Sequence, residues 1–87
     1  MTKAKLWVKK PIVVEALHFT GINHEEVGAF CGSKAEVIKK KLFIKTLEGL
    51  MECGAGCFIV RGIKGEFYPV QFQIFLATYD QVQSEKG

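Results

Sequence analysis

The stretch Cys57-Phe58-Ile59-Val60-Arg61-Gly62-Ile63-Lys64-Gly65-Glu66-Phe67-Tyr68-Pro69-Val70 decides how the rest of the chain is read. Residues rich in β-branched and aromatic types run up to Lys64-Gly65, and a second aromatic run leaves on the far side until Pro69 stops it. The reading is a β-hairpin. It also carries the densest mixture of charge and aromatic rings in the chain, with Arg61, Lys64, Glu66 and Tyr68 close to its tip.

Working back from the hairpin, Gly54-Ala55-Gly56 reads as a flexible corner. Before it, Lys40 to Leu47 forms a strand, Glu48-Gly49 a tight turn and Leu50 to Cys53 a return strand. Ala35 to Lys39 admits a strand or a loop, and we read it as a short strand. Further back, Asn23 is an N-cap with Glu26 as the capping-box acid, and Ile22 and Val27 hold the two positions of a hydrophobic staple. These signals predict a helix from about His24 to Phe30 or Cys31, ending at Gly32. Pro11 opens Ile12 to Phe19, a strand apolar on both faces and therefore expected to be central or wrapped into a small barrel. Residues 1–9 are either a lead-in strand or a mobile basic arm. Working forward, Phe72, Phe75, Leu76 and Tyr79 recur at helical spacing, so Gln71 to Val82 is expected to be an amphipathic helix that lays an aromatic stripe on the sheet. Gln83 to Gly87 is a polar tail.

The totals agree with one α+β domain over residues 1–87: a mainly antiparallel twisted sheet of five or six strands, one internal helix and one C-terminal helix. At 9.7 kDa there is no room for a second core. A chain this short buries only a little more than the roughly 60% of unfolded surface that a 60-residue domain hides, so association into a homo-oligomer is an easy source of further burial. The apolar share of 48% and charged share of 24% are those of a globular protein and exclude a disordered one. A net charge of +3 is too mild to argue for nucleic acid by itself. No run approaches the ~20 apolar residues of a membrane span, and no signal peptide is legible. The three cysteines, an odd number, are expected to stay reduced, and the expected location is a cytoplasm.

Chemistry-bearing patterns are sparse. Cys53 and Cys57 flank three small residues, yet a zinc site needs four ligands and only Cys31, His18 and His24 remain, with no second matching pair. We read the cysteines as buried small hydrophobes and expect neither metal nor cofactor. A cysteine nucleophile would need a base that the sequence does not place. His18 beside Phe19 reads as a hydrogen-bonded edge residue, and His24 as an exposed residue in the first helical turn. Neither joins a catalytic constellation, so no catalytic residue is assigned and no enzyme is expected. The glycines punctuate turns and do not cradle a phosphate, with Gly62 read as a bulge. Lys39, Lys40 and Lys41, with Lys9, Lys10, Arg61 and Lys64, supply a basic face that either binds an anion or protects a strand edge. Trp7, Phe43 and Tyr68 would let bases stack there if exposed.

Thr46-Leu47-Glu48-Gly49, Gly56 to Phe58, Arg61 to Pro69, and Phe75 with Thr78-Tyr79 resemble the TLEG turn, GDYII-like strand, KGxxGEFYP hairpin and closing FxxTYE helix of a widespread family of small phage and prophage proteins. Lys10 to Ala16 is similar to that family's start, so the resemblance covers nearly the whole chain. Two positions depart: Cys57 stands where the family usually has Asp, and Val70 where it often has Cys. The resemblance implies a phage origin and an α+β fold, with no reaction attached. By analogy with small phage accessory proteins, it implies a non-enzymatic counter-defence protein in the host cytoplasm that sequesters a nucleotide signal or binds and inhibits a host defence protein. Arg61 and Lys64 would attract an anionic group and Tyr68 would stack on a base or fill a partner's pocket. Glu66 and Tyr68 serve equally well as hydrogen-bonding ties between hairpin and terminal helix. The alternative is a nucleic-acid-binding accessory protein that uses the Lys39–Lys41 run.

Overall fold

Strand pairing divides the chain between two small sheets. In the computed structural model, which describes residues 3–82, the elements run β1 (Glu15–His18), α1 (His24–Cys31), β2 (Ala35–Ile38), β3 (Lys41–Thr46), β4 (Gly49–Cys53), β5 (Phe58–Arg61), β6 (Phe67–Val70) and α2 (Phe72–Thr78), with a 3-10 turn at Gly32–Lys34. The sheets have strand orders β1-β5-β6 and β2-β3-β4, and every pairing is antiparallel. The α+β class and the two helices stand, while the expected single sheet of five or six strands is corrected to two sheets of three. The physical reason is local. Period-two patterning says which face of a strand is buried but not which strand lies beside it. After β4, the Gly54-Ala55-Gly56 corner takes the chain out of one sheet, and β5 pairs with β1.

The central hairpin forms as read, and its turn is more specific than the sequence suggested. Gly62 donates its N–H to the Glu66 carbonyl at 2.7 Å, and Gly65 donates to the Gly62 carbonyl at 3.0 Å. Gly65 has φ 81°. That is a three-residue loop with a glycine in the left-handed position after the turn, so the bulge residue is Gly65 and not Gly62. A Cβ at Gly62 would meet the Glu66 carboxylate, which folds back to accept the Lys64 N–H at 3.0 Å and would have to move aside. β6 also runs through Pro69, opposite Ile59, instead of ending at it. Proline is tolerated because β6 is an outer strand.

Alternation along this hairpin sorts its residues onto two faces. Ile59 and Arg61 of β5 share a face with Phe67 and Pro69 of β6, and Phe58 and Val60 share the other with Tyr68 and Val70. The first face meets the second sheet, since β6 lies against β3 and β4. The core therefore gathers Ile59 and Phe67 with Leu42, Ile44 and Cys53 of the second sheet, and Phe19, Val27 and Cys31 close it. Ile44 and Ile59 are fully buried, and each such side chain is worth about 1.5–3 kcal/mol over exposure.

Expectations for the first half hold for the helix and fail for the strand. α1 occupies the predicted span and ends at Gly32, with φ 60° and its N–H on the Gly28 carbonyl. Asn23 stands at the N-cap position, but its side chain makes no hydrogen bond to the helix backbone, so the expected capping box is not formed. Its side chain faces backwards: Oδ1 accepts from the Thr20 N–H (2.8 Å) and Oγ1–H (3.0 Å), while Nδ2 donates to the His18 carbonyl (2.9 Å) and the Glu26 carboxylate (2.7 Å). Ile22 is exposed, so the staple with buried Val27 is not made. β1 covers only Glu15 to His18 and sits at the edge of its sheet, correcting the expected central strand from Ile12 to Phe19. Residues 3–14 take neither helix nor strand, and Ile12 and Val13 are exposed.

Turns in the second sheet also differ by a residue or two. Leu47-Glu48 forms the β3–β4 turn, with Gly49 (φ 107°) following it, and Thr46 Oγ1 accepts from the Glu48 N–H while donating to the Gly49 carbonyl. Lys39 and Lys40 are not in a strand. They form the two-residue β2–β3 turn, both at positive φ (51° and 67°). α2 is shorter than the predicted Gln71 to Val82 because Tyr79 is already extended, and the polar tail from Gln83 to Gly87 lies outside the described residues. No helix among the described residues is long and apolar enough to cross a membrane.

The lysine turn generates a stability test. A positive φ costs a residue with a Cβ about 1–2 kcal/mol, and glycine escapes that cost. Replacing the second turn residue, Lys40→Gly, is expected to raise stability by about 1 kcal/mol. In urea unfolding the midpoint rises at constant slope; a lowered midpoint would show that this backbone is not adopted.

Candidate functional site: an aromatic groove beneath the last helix

The hairpin face turned away from the core builds the site. Across the first sheet, His18 stands opposite Phe58, and Ala16 opposite Val60, so these residues share a surface with Tyr68. α2 lies on that surface through its aromatic residues. Phe75 stacks on Phe58 with centroids 3.9 Å apart and planes 8° from parallel. His18 also stacks on Phe58, at 4.8 Å, and Tyr79 stacks on Phe75 at 4.8 Å. The result is a continuous pile of four rings, His18, Phe58, Phe75 and Tyr79. Phe72 adds tilted or offset contacts to His18 and Phe58.

These rings line an open groove of about 1060 Å³. Residues Lys9 to Val14 and Asp80 to Val82 form its other walls, with Tyr68 and Glu66 contributing from β6 and the hairpin loop. Two features mark the wall chemically. His18 Nε2 is buried without a hydrogen-bond partner, where an unmet buried polar group costs about 1–3 kcal/mol. The Tyr68 hydroxyl is pushed up to about 12, by burial first, then by the adjacent Tyr79 phenol and the Glu66 carboxylate. It therefore stays protonated, able to donate as well as accept, throughout the neutral range.

The structure brings together only half of the sequence-derived site. Glu66 and Tyr68 line the groove. Arg61 is on the opposite face, where its guanidinium meets the carboxylate of its cross-strand partner Glu15 at 3.2 Å and lies 5.8 Å from the Phe67 ring centroid. Both partners of that ion pair are at least half exposed, so it adds little to stability. Lys64 is exposed at the loop tip, outside the groove. Lys39 and Lys40 turn the β2–β3 hairpin, and Lys41 begins β3, all exposed and away from the groove. The sequence reading did not join Lys9, Lys10 and His18 to the stripe of α2. The signal was there in part, since His18 and Phe58 fall on matching strand faces once β1 and β5 are known to pair. His18 lies on an edge strand as expected and its carbonyl accepts from Asn23, but its Nε2 has no hydrogen-bond partner and its ring stacks on Phe58. α2 does press Phe75 and Tyr79 onto the sheet as expected, but Leu76 and Phe72 remain 54% and 43% exposed.

The cysteines lie in or beside the core rather than the groove. Cys31 and Cys53 are buried and Cys57 is half-buried, and all are free thiols. Burial pushes Cys31 up to about 11. Cys53 is pushed up to about 12, again mainly by burial, with the neighbouring Cys57 and Cys31 thiols adding to it. Among the described residues no group of three or more His, Cys, Asp or Glu side chains is placed to hold a metal ion. No protein-family model, no curated protein and no solved structure matches this chain.

Two measurements check the thiol environments. With a thiol reagent under native conditions, Cys57 is expected to label first, while Cys31 and Cys53 react only on opening of the core; equal labelling of all three would contradict their burial. Each buried thiol has a native pKa above its unfolded value near 9.0, so its contribution to stability is complete below pH 9.0 and is lost as pH rises through about 11 and about 12. The melting temperature in reductant is therefore expected to decline across that window. A Cys31→Ala/Cys53→Ala variant should decline less steeply, and an identical slope would remove the thiols as the cause.

Proposed function

We propose that this chain is a non-enzymatic phage accessory protein that acts against host defence by sequestering a small nucleotide signal in the aromatic groove. The observation that carries this reading is the joint lining of one groove by stacked rings and by Lys9 and Lys10. A nucleotide asks for that pair of properties: a π surface or phenol edge for the base, and cations for the phosphate. The rest of the lining supports it. The protonated Tyr68 hydroxyl offers a polar contact within a mainly apolar wall, the usual make-up of a small-molecule site.

Inhibition of a host defence protein is the second reading, favoured by the exposed Leu6, Trp7, Phe72 and Leu76 beside the same groove. Nucleic-acid binding by the Lys39–Lys41 run is less well supported. On the open face of the second sheet, Phe43 is flanked by Glu36 and Glu52 as its two cross-strand partners, which sets negative charge against an approaching phosphate backbone.

A thermal-shift panel of linear and cyclic mono- and dinucleotides tests the reading. At a ligand concentration 100-fold above its dissociation constant, binding adds about 2.7 kcal/mol, equivalent to a rise of roughly 10 °C or more for a domain of this size. Lys9→Glu/Lys10→Glu is expected to abolish that rise without lowering the melting temperature of the free protein, since both side chains are exposed. If no nucleotide shifts the transition, the reading fails. Retention of a host protein from lysate by the lysine variant as well as the native chain would favour the second reading.

A further inference from the structure

The N-terminal arm poses a problem that the groove solves. Leu6, Trp7 and Val8 are 101%, 88% and 90% exposed, and Lys3 and Lys5 precede them with no acidic residue before Glu15. Three consecutive large apolar residues in water are costly, because each forgoes the gain of burial. Residues Lys9 to Val14 already serve as a wall of the chain's own groove, and the arm leaves from the end of that wall with the triplet uncovered. The groove stays open, with Leu76 and Ile63 exposed along it. Beside it, the outer edge of β1 pairs with no strand among the described residues, and such an edge invites a second chain.

We infer that a second copy of this chain fills the groove, each protomer laying its Leu6-Trp7-Val8 triplet into the groove of the other about a two-fold axis. Two quantities on the molecule leave room for that occupant. The accessible surface is 7179 Å², about 2000 Å² more than the roughly 5100 Å² expected of a compact monomer of 9.7 kDa, an excess to which the uncovered arm contributes. A stable interface needs only about 800 Å² from each partner. The radius of gyration, 15.1 Å, likewise exceeds the roughly 12 Å of a self-contained domain of this length. Lys5 precedes and Lys9 follows the triplet, and the receiving groove carries Lys9 and Lys10 as well as Glu66 and Asp80, so the fit rests on apolar burial and not on net charge. The contact is isologous, because arm and groove belong to the same chain and are exchanged reciprocally.

Trp7, the single tryptophan, reports the docking directly. Sedimentation of the ligand-free native protein at micromolar concentration is expected to give a dimer, with Trp7 emission shifting to the blue as dimer replaces monomer on concentration. Trp7→Asp in the arm and Leu76→Lys in the groove are each expected to raise the dimer dissociation constant roughly thirtyfold or more. Both sites are exposed, so circular dichroism should be unchanged. An equimolar mixture of the two variants should recover heterodimer, since one intact arm still meets one intact groove. A monomer at every concentration overturns the inference. So does a dimer insensitive to both substitutions, and so does a monomer whose Trp7 emission is already blue, which would place the arm in its own groove. These measurements contain no nucleotide: a dimer that binds none keeps this inference while removing the proposed function, and a monomer that binds one does the reverse.

Discussion

Ile59 and Phe67 projecting from one face of the β5–β6 hairpin into Leu42, Ile44 and Cys53 of the other sheet is the contact on which everything else rests. Neither sheet has enough strands to enclose a core alone, and neither helix is long enough to roof one. Bringing two three-stranded sheets together through β6 lets a chain of 87 residues bury Ile44 and Ile59 completely. α1 closes the same core with Val27 and Cys31, and the Asn23 side chain ties its start to the end of β1. The polar network around Asn23 matters because it fixes the direction in which the helix leaves the strand.

Once one face of the hairpin is committed to that core, the pleat commits the other. Tyr68 and Phe58 must point away from Phe67 and Ile59, so the aromatic groove follows from the same alternation that makes the core. The same rule separates Arg61 from Tyr68 although they are close in sequence. Arg61 projects on the core-side face and finds Glu15 across the sheet, whereas Tyr68 projects towards α2 and Tyr79. Proximity along a strand is a poor guide to convergence, because neighbours at odd spacing diverge.

The groove and the arm express the shortage of interior in a small protein. Aromatic residues of α2 cover part of the sheet by stacking, yet no residue of that helix is fully buried. A large apolar surface left over after folding is a resource for binding, and here it lies next to unused cations at Lys9 and Lys10. That is the setting in which stacking, charge attraction and self-association draw on one surface and must be separated by experiment.

What the sequence determined by itself was everything that local chemistry encodes: the hairpin turning at Lys64-Gly65, the span of α1 from Asn23 to Gly32, the three-strand run from Ala35 to Cys53, and the aromatic periodicity of α2. Each follows from turn propensity, capping residues or a repeat of two or 3.6 residues, which a reader can apply within a short window. Tertiary structure alone decided that β5 pairs with β1 rather than with β4, because strand partnership depends on how the Gly54–Gly56 corner redirects the chain. It therefore also decided that His18, Phe58, Phe75 and Tyr79 form one stack, that Arg61 lies on the other side, and that residues 3–14 leave the sheet. The apolar run through Ile12 and Val13 looked like a buried strand because hydrophobicity records a preference for burial. Whether the folded chain supplies a partner to satisfy it is a property of three dimensions.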